Sequence, residues 1–127
     1  NSDVLPTISF GSQFMSAVIT PTSGSNILIV EHSGMWSDAS TSGPTVAMFA
    51  DDFCIAAMHH SVSNVNHVFQ MALNSTLLVS ETGWTSGALT ITVRGSSGGT
   101  ITFNGTSGNR YYNTAQKSTL IVREYTP

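Results

Sequence analysis

The chain has 127 residues and a mass of 13.4 kDa, the size of one domain, expected to span residues 1–127. Only 9% of residues are Asp, Glu, Lys or Arg, against roughly 25% in ordinary soluble proteins; 19 Ser, 16 Thr, 8 Asn and 11 Gly take their place. A net charge of −3 with no basic cluster argues against nucleic acid and anionic membrane as partners, and no apolar run approaches the roughly 18 residues of a spanning helix. Hydrophobic residues make up 40%, enough for a core, and the lone Cys54 rules out an internal disulfide.

Apolar residues recur at every second position over short runs that Gly, Pro, Ser and Asn interrupt, which is the signature of strands and turns. The first predicted strand is Met15–Thr20, closed by Pro21 and the turn Thr22-Ser23-Gly24-Ser25. A second covers Asn26–His32, followed by a polar loop, Ser33–Pro44, that carries Met35 and Trp36. Thr45–Ala50 and Phe53–Ser61 form a hairpin across Asp51-Asp52, a pair suited to the dihedrals of a tight turn. Further strands are expected at His67–Leu73, Leu77–Glu81, Ala88–Arg94, Thr100–Asn104 and Ser118–Tyr125, with Gly-rich connections at Gly95–Gly99 and Gly105–Gln116. About nine strands in one domain predict an all-β protein of two packed antiparallel sheets, a β-sandwich.

The strands differ in their two faces. Leu89, Ile91 and Val93 alternate with Thr90, Thr92 and Arg94, as in a sheet with one wet side. In the last strand Leu120 and Val122 share one face while Ile121 and Tyr125 flank Arg123 on the other, and Ile27 and Ile29 oppose Leu28 and Val30. A sandwich has one interior, so strands apolar on both faces need a second cover, and the expected cover is another copy of the chain. Ile121, Arg123, Tyr125, Met58 and His60 are the candidate interface residues.

The strand pair Val46–Ala50 and Cys54–His59, the Gly-rich hairpin leading into Gly99-Thr100-Ile101-Thr102-Phe103-Asn104-Gly105, and the closing Lys117–Tyr125 run together resemble the C-terminal head domains of bacteriophage tail fibres and spikes. Those heads are similar in plan to the trimeric jelly rolls of tumour necrosis factor and complement. The resemblance implies a homotrimeric jelly roll on a virion, outside the cell, that recognises a bacterial surface glycan or outer-membrane protein. Residues 1–13 would then join an upstream shaft. A trimeric capsid-decoration protein and a monomeric carbohydrate-binding module are the alternative expectations.

Catalytic signatures are weak, and no enzyme activity or cofactor is expected. There is no Gly-x-Ser-x-Gly elbow, Cys54 lies in an apolar strand, and Asp51 and Asp52 diverge as neighbours in a turn. His32, His59, His60 and His67 invite a metal reading, but adjacent His59 and His60 point to opposite faces of a strand, and no metal site is assigned. Sugars are recognised by stacking on aromatic faces and hydrogen bonding to polar neighbours. The candidate receptor contacts are therefore Trp36 and Asp38 in the first long loop and Asn109, Arg110, Tyr111 and Tyr112 in the late one; Trp84 is weighed against a place at the core margin.

Overall fold

The computed structural model describes residues 4–127. Its strands, in chain order, are β1 (Ser12–Ile19), β2 (Ile27–Asp38), β3 (Thr45–Ala50), β4 (Phe53–His59), β5 (Val68–Leu78), β6 (Leu89–Ser96), β7 (Ile101–Phe103), β8 (Gly105–Thr106), β9 (Asn109–Arg110) and β10 (Thr119–Tyr125). Helix among the described residues is limited to 3₁₀ turns at Val79–Thr82 and Tyr111–Thr114. None is long and apolar enough to cross a membrane.

Every strand pairing is antiparallel. One sheet, here sheet I, runs β1-β6-β3-β4. Sheet II runs β10-β2-β5, and β7 takes over from β10 beside the far end of β2, pairing Trp36–Asp38 where β10 paired Ile27–Ser33. The two sheets close on one core. Leu28, Val30 and Trp36 from β2 and Met71 and Leu73 from β5 meet Val46, Met48 and Ala50 from β3 and Leu89, Ile91 and Val93 from β6. Each buried aliphatic side chain of this kind contributes about 1.5–3 kcal/mol of hydrophobic stabilisation before its ordering entropy is subtracted.

Two register shifts fit extra bulk into that core. The shift between Gln13 and Met15 accompanies packing of both Phe14 and Met15 on the interior, and the shift between Met48 and Phe49 lets consecutive Ile55 and Ala56 do the same. The β3–β4 turn is closed by Asp51 in a left-handed conformation (φ 46°), its amide donating to the Thr90 carbonyl (2.8 Å) and its carboxylate accepting from the Thr90 amide (3.0 Å). At the other end, Glu124 Oε1 accepts from the Thr22 amide (2.8 Å), the Thr22 hydroxyl (3.1 Å) and Asn26 Nδ2 (2.7 Å), tying the turn after β1 to β10.

Three expectations are corrected. The polar loop predicted at Ser33–Pro44 is half strand, because β2 continues through Asp38. The separate strands predicted at His67–Leu73 and Leu77–Glu81 are one strand, β5, which runs straight through Asn74-Ser75-Thr76 and ends in a 3₁₀ turn. The late loop contains the short hairpin β8–β9.

β3 is buried on both faces, Ala47 and Phe49 as completely as Val46 and Met48. Part of the second cover on this sheet comes from the chain itself. Arg94 of β6 donates to the Phe10 carbonyl (2.7 Å) and the Gly11 carbonyl (2.8 Å), strapping the segment before β1 across the outer side of sheet I. On sheet II the β8–β9 hairpin covers the outer side only at the β7 end, where the Gly108 amide donates to Thr102 Oγ1 (2.9 Å) over buried Ser37 and Thr102, while Ile121 and Tyr125 towards the other end stay exposed.

Candidate functional site

The late loop carries the best-formed exposed site. Asn104 is anchored by its amide on the Met35 carbonyl (2.9 Å), and its own carbonyl accepts from the Tyr111 amide (2.9 Å), so both ends of the β8–β9 hairpin are held to the body. Ser118 donates to Asn104 Oδ1 (2.5 Å), and the Gly108 amide donates to Thr102 Oγ1 (2.9 Å). On this base Asn104 (φ 60°), Ser107 (φ 49°) and Tyr112 (φ 53°) all take the left-handed region. For a bulky residue such as tyrosine this costs on the order of 1–3 kcal/mol. Tyr112 is nevertheless 78% exposed. Its ring lies 6.0 Å from that of half-buried Tyr111, tilted by 60°. Asn109 and Arg110 are exposed beside them, with Asn109 Nδ2 on the Ser107 carbonyl (3.2 Å). Four of the sequence-predicted contact residues are thus brought together.

Trp36 and Asp38 are not part of that site. Trp36 is 0% exposed in the core, its ring 4.8 Å from Phe14 and 4.5 Å from Phe103. Gly95 of β6 makes room for it, because a Cβ there would stand 2.8 Å from Trp36 Cζ3. Asp38 is buried too. Its Oδ1 accepts from the Ser40 amide (3.0 Å) and Ser97 Oγ (2.9 Å), and its Oδ2 from Ser40 Oγ (2.7 Å) and Ser42 Oγ (3.4 Å). Burial pushes this carboxyl up, but the hydroxyl and amide donors outweigh it and hold the group below its ordinary value. The carboxylate organises the 39–43 and 96–99 connections instead of meeting a ligand.

The predicted interface residues divide between two places. Ile121 (38% exposed), Arg123 and Tyr125 (47%) share the outer side of sheet II. The register places Tyr125 beside Ile27 and Leu78, Arg123 beside Ile29 and Thr76, and Ile121 beside Glu31 and Asn74. Arg123 Nη1 donates to Glu31 Oε2 at 2.7 Å, so the two charges of this grid pair with each other. Leu78, 43% exposed, was not foreseen; the parity of Asn74 and Thr76 carried two residues further points to it. Met58 and His60 lie elsewhere. Met58 is on β4, the edge of sheet I, and His60 stacks on Phe69 with ring centroids 4.3 Å apart. The two therefore drop out of the face formed by the other three.

His32 is buried on β2, with Nδ1 bonded to the Thr119 carbonyl (3.0 Å); Nε2 has no partner among the described residues. Burial pushes this imidazole below its ordinary value, against the smaller opposing pull of that carbonyl. Among the described residues no three His, Cys, Asp or Glu side chains converge to hold a metal ion. Cys54 is half-buried and its thiol is pushed up by burial. Trp84 packs at the core margin, with Nε1 on the Gly87 carbonyl (2.9 Å).

No protein-family model matches the chain, and no characterised protein sequence is significantly similar to it.

Proposed function

We propose that the chain is the receptor-binding head of a phage tail fibre or spike, associating as a homotrimer and attaching to a bacterial surface saccharide. The observation that carries the reading is Tyr112, an aromatic held out at 78% exposure on left-handed backbone next to Tyr111, Arg110 and Asn109. Backbone held out of its preferred region persists where the surroundings enforce it, and such positions cluster at ligand contacts. An exposed aromatic flanked by neutral polar groups suits a pyranose ring.

Connectivity supports the jelly-roll part of the reading. The chain changes sheet from β1 to β2 to β3, and again from β4 to β5 to β6, which is the alternation of interleaved Greek keys. The β3–β4 hairpin stands where a full jelly roll would insert a further pair of strands. Self-association is supported by the outer side of sheet II, where Ile27, Ile29, Leu78, Ile121 and Tyr125 surround a single internally neutralised ion pair. A face bearing both Arg123 and Glu31 also meets opposite charge when it meets itself.

Two measurements test this. Light scattering is expected to give three times the 13.4 kDa chain mass. Ile121→Asp sets a second carboxylate beside Glu31 and is expected to return the mass to that of one chain, whereas Val18→Asp, on the exposed outer side of β1, leaves the trimer intact. Tyr112→Ala is expected to weaken attachment of the trimer to host cells by about tenfold or more, since loss of about 1 kcal/mol of stacking per site is compounded by three-site avidity. A trimer that attaches equally well without Tyr112 removes the proposed contact.

A further inference from the structure

The strap before β1 does not lie flush on sheet I. Between it and the paired ends of β3 and β4 is a cleft of about 680 Å³, within the range of small-molecule sites. Its chemistry is divided. Pro6 and Phe10 from the strap and Ala57 from β4 supply an apolar side, Ser42, Thr45 and His59 supply a polar one, and Met58, whose register partner is core-facing Val46, borders the cleft. The polar groups are fixed in place. His59 Nδ1 and Thr45 Oγ1 are hydrogen-bonded at 2.9 Å across the β3–β4 ladder, which orients the imidazole. Ser42 Oγ accepts from the Gly98 amide (3.0 Å), lies 2.7 Å from Ser40 Oγ and reaches the buried Asp38 carboxylate (3.4 Å). Asp38 is therefore a positioning residue for this wall although it touches no solvent.

We infer that this cleft is a second saccharide site, one that takes a neutral pyranose with an apolar edge, a 6-deoxyhexose being the best fit. Among the described residues no Asp, Glu, Lys or Arg lines it, so an anionic or cationic ligand would lose hydration with no counter-charge from them to replace it. The hydroxyls of a neutral ring can exchange water for Ser42, Thr45 and His59, while its C–H face and methyl group displace water from Pro6 and Phe10. An aromatic ring, a proline ring and three neutral polar groups around one cavity match the two-sided surface of a sugar better than that of a purely apolar ligand. The site rests on the saccharide reading above and adds to it the class of sugar and a second point of contact, so that each chain engages a glycan at the late loop and under the strap.

The experiment is a ¹⁵N–¹H titration of the full chain with L-fucose, D-glucose and D-glucuronate. The expected result is saturable shifts at the Thr45 and Ala57–His59 amides with L-fucose, at a millimolar Kd, weaker shifts with D-glucose, and at least tenfold weaker binding of D-glucuronate. His59→Ala, exposed on the edge strand, is expected to weaken L-fucose binding at least fivefold, with amide dispersion retained. Tyr112→Ala should leave these shifts unchanged. Absence of shifts at the cleft, or equal binding of D-glucuronate, overturns the inference. If L-fucose binds in the cleft but the trimer attaches to no host cell, the adhesion reading fails and the sugar site stands. If cell attachment depends on Tyr112 while the cleft stays silent, the reverse holds.

Discussion

Trp36→Ala is expected to lower the unfolding free energy by about 3–5 kcal/mol, the cost of deleting a fully buried indole whose surroundings cannot collapse into the space. For a domain of this size total stability is on the order of 5–15 kcal/mol, so the variant is expected to be partly unfolded at physiological temperature. The geometry explains why the cavity persists. Trp36 is wedged between Phe14 on β1 and Phe103 on β7, with the Gly95 backbone against its six-membered ring. Those three groups belong to three different strands fixed by their own ladders, so none can move inward alone. Trp36→Phe is expected to cost far less, about 1 kcal/mol, because it retains most of the ring packing and removes an indole N–H that has no partner among the described residues. Urea denaturation checks both, with the loss read in the midpoint at constant slope. A Trp36→Ala chain of unchanged stability that fails only to attach to cells would restore the residue to the receptor surface.

That reversal shows where the fold was legible in the residues and where it was not. Thr45–Ala50 was found at its observed bounds, and β4, β6 and β10 within two residues at each end, because alternation and turn residues mark them without competition. The 33–44 segment failed because Ser33, Gly34, Ser37 and Asp38 have the composition of a loop, and composition does not separate a solvated serine from one packed inside. The parity of β2 does. Leu28 and Val30 face the core, and counting on by twos assigns His32, Gly34, Trp36 and Asp38 to the same side, all of which are buried. Gly34 then reads as a packing requirement, since a Cβ there would come within 2.9 Å of both His32 and Phe103. Asn74-Ser75-Thr76 misled in the same way, with Asn74 and Thr76 pointing outward from an unbroken strand.

The site was legible in part for a related reason. Asn109–Tyr112 stands out as an aromatic and polar cluster between Gly-rich flanks, and the fold keeps it at the surface. The cleft under the strap was not visible, because it joins residues from three separate stretches, Pro6–Phe10, Ser42–Thr45 and Ala57–His59. The strap itself depends on one arginine of β6 reaching two carbonyls some eighty residues earlier in the chain. Such a contact leaves no periodicity to read.

Acid is expected to destabilise the chain in two steps, the first set by His32 and the second by Asp38. The His32 imidazole is held below its ordinary 6.5 by burial, so as the pH falls past 6.5 the unfolded chain takes a proton that the folded chain refuses. The unfolded state binds more protons, and stability therefore declines with falling pH, by up to about 1.4 kcal/mol per pH unit for one proton, until the folded imidazole titrates as well. Asp38 has the same sign in a lower window. Its folded value lies below the ordinary 3.8, so its contribution is complete above 3.8 and is lost as the pH falls through the folded value. Glu124, also held low by Asn26 and Thr22, shares that second window. Urea midpoints measured from about pH 7.5 down to about pH 3 are expected to show both limbs. His32→Gln keeps a donor for the Thr119 carbonyl and should flatten the upper limb alone. Asp38→Asn should be less stable by about 2 kcal/mol at neutral pH, because an amide presents N–H where Ser40 and Ser97 donate, and its lower limb should be shallower, leaving Glu124. An upper limb that survives His32→Gln unchanged would mean that β2 tolerates a charge in its aromatic box, beside Trp36 and Phe103.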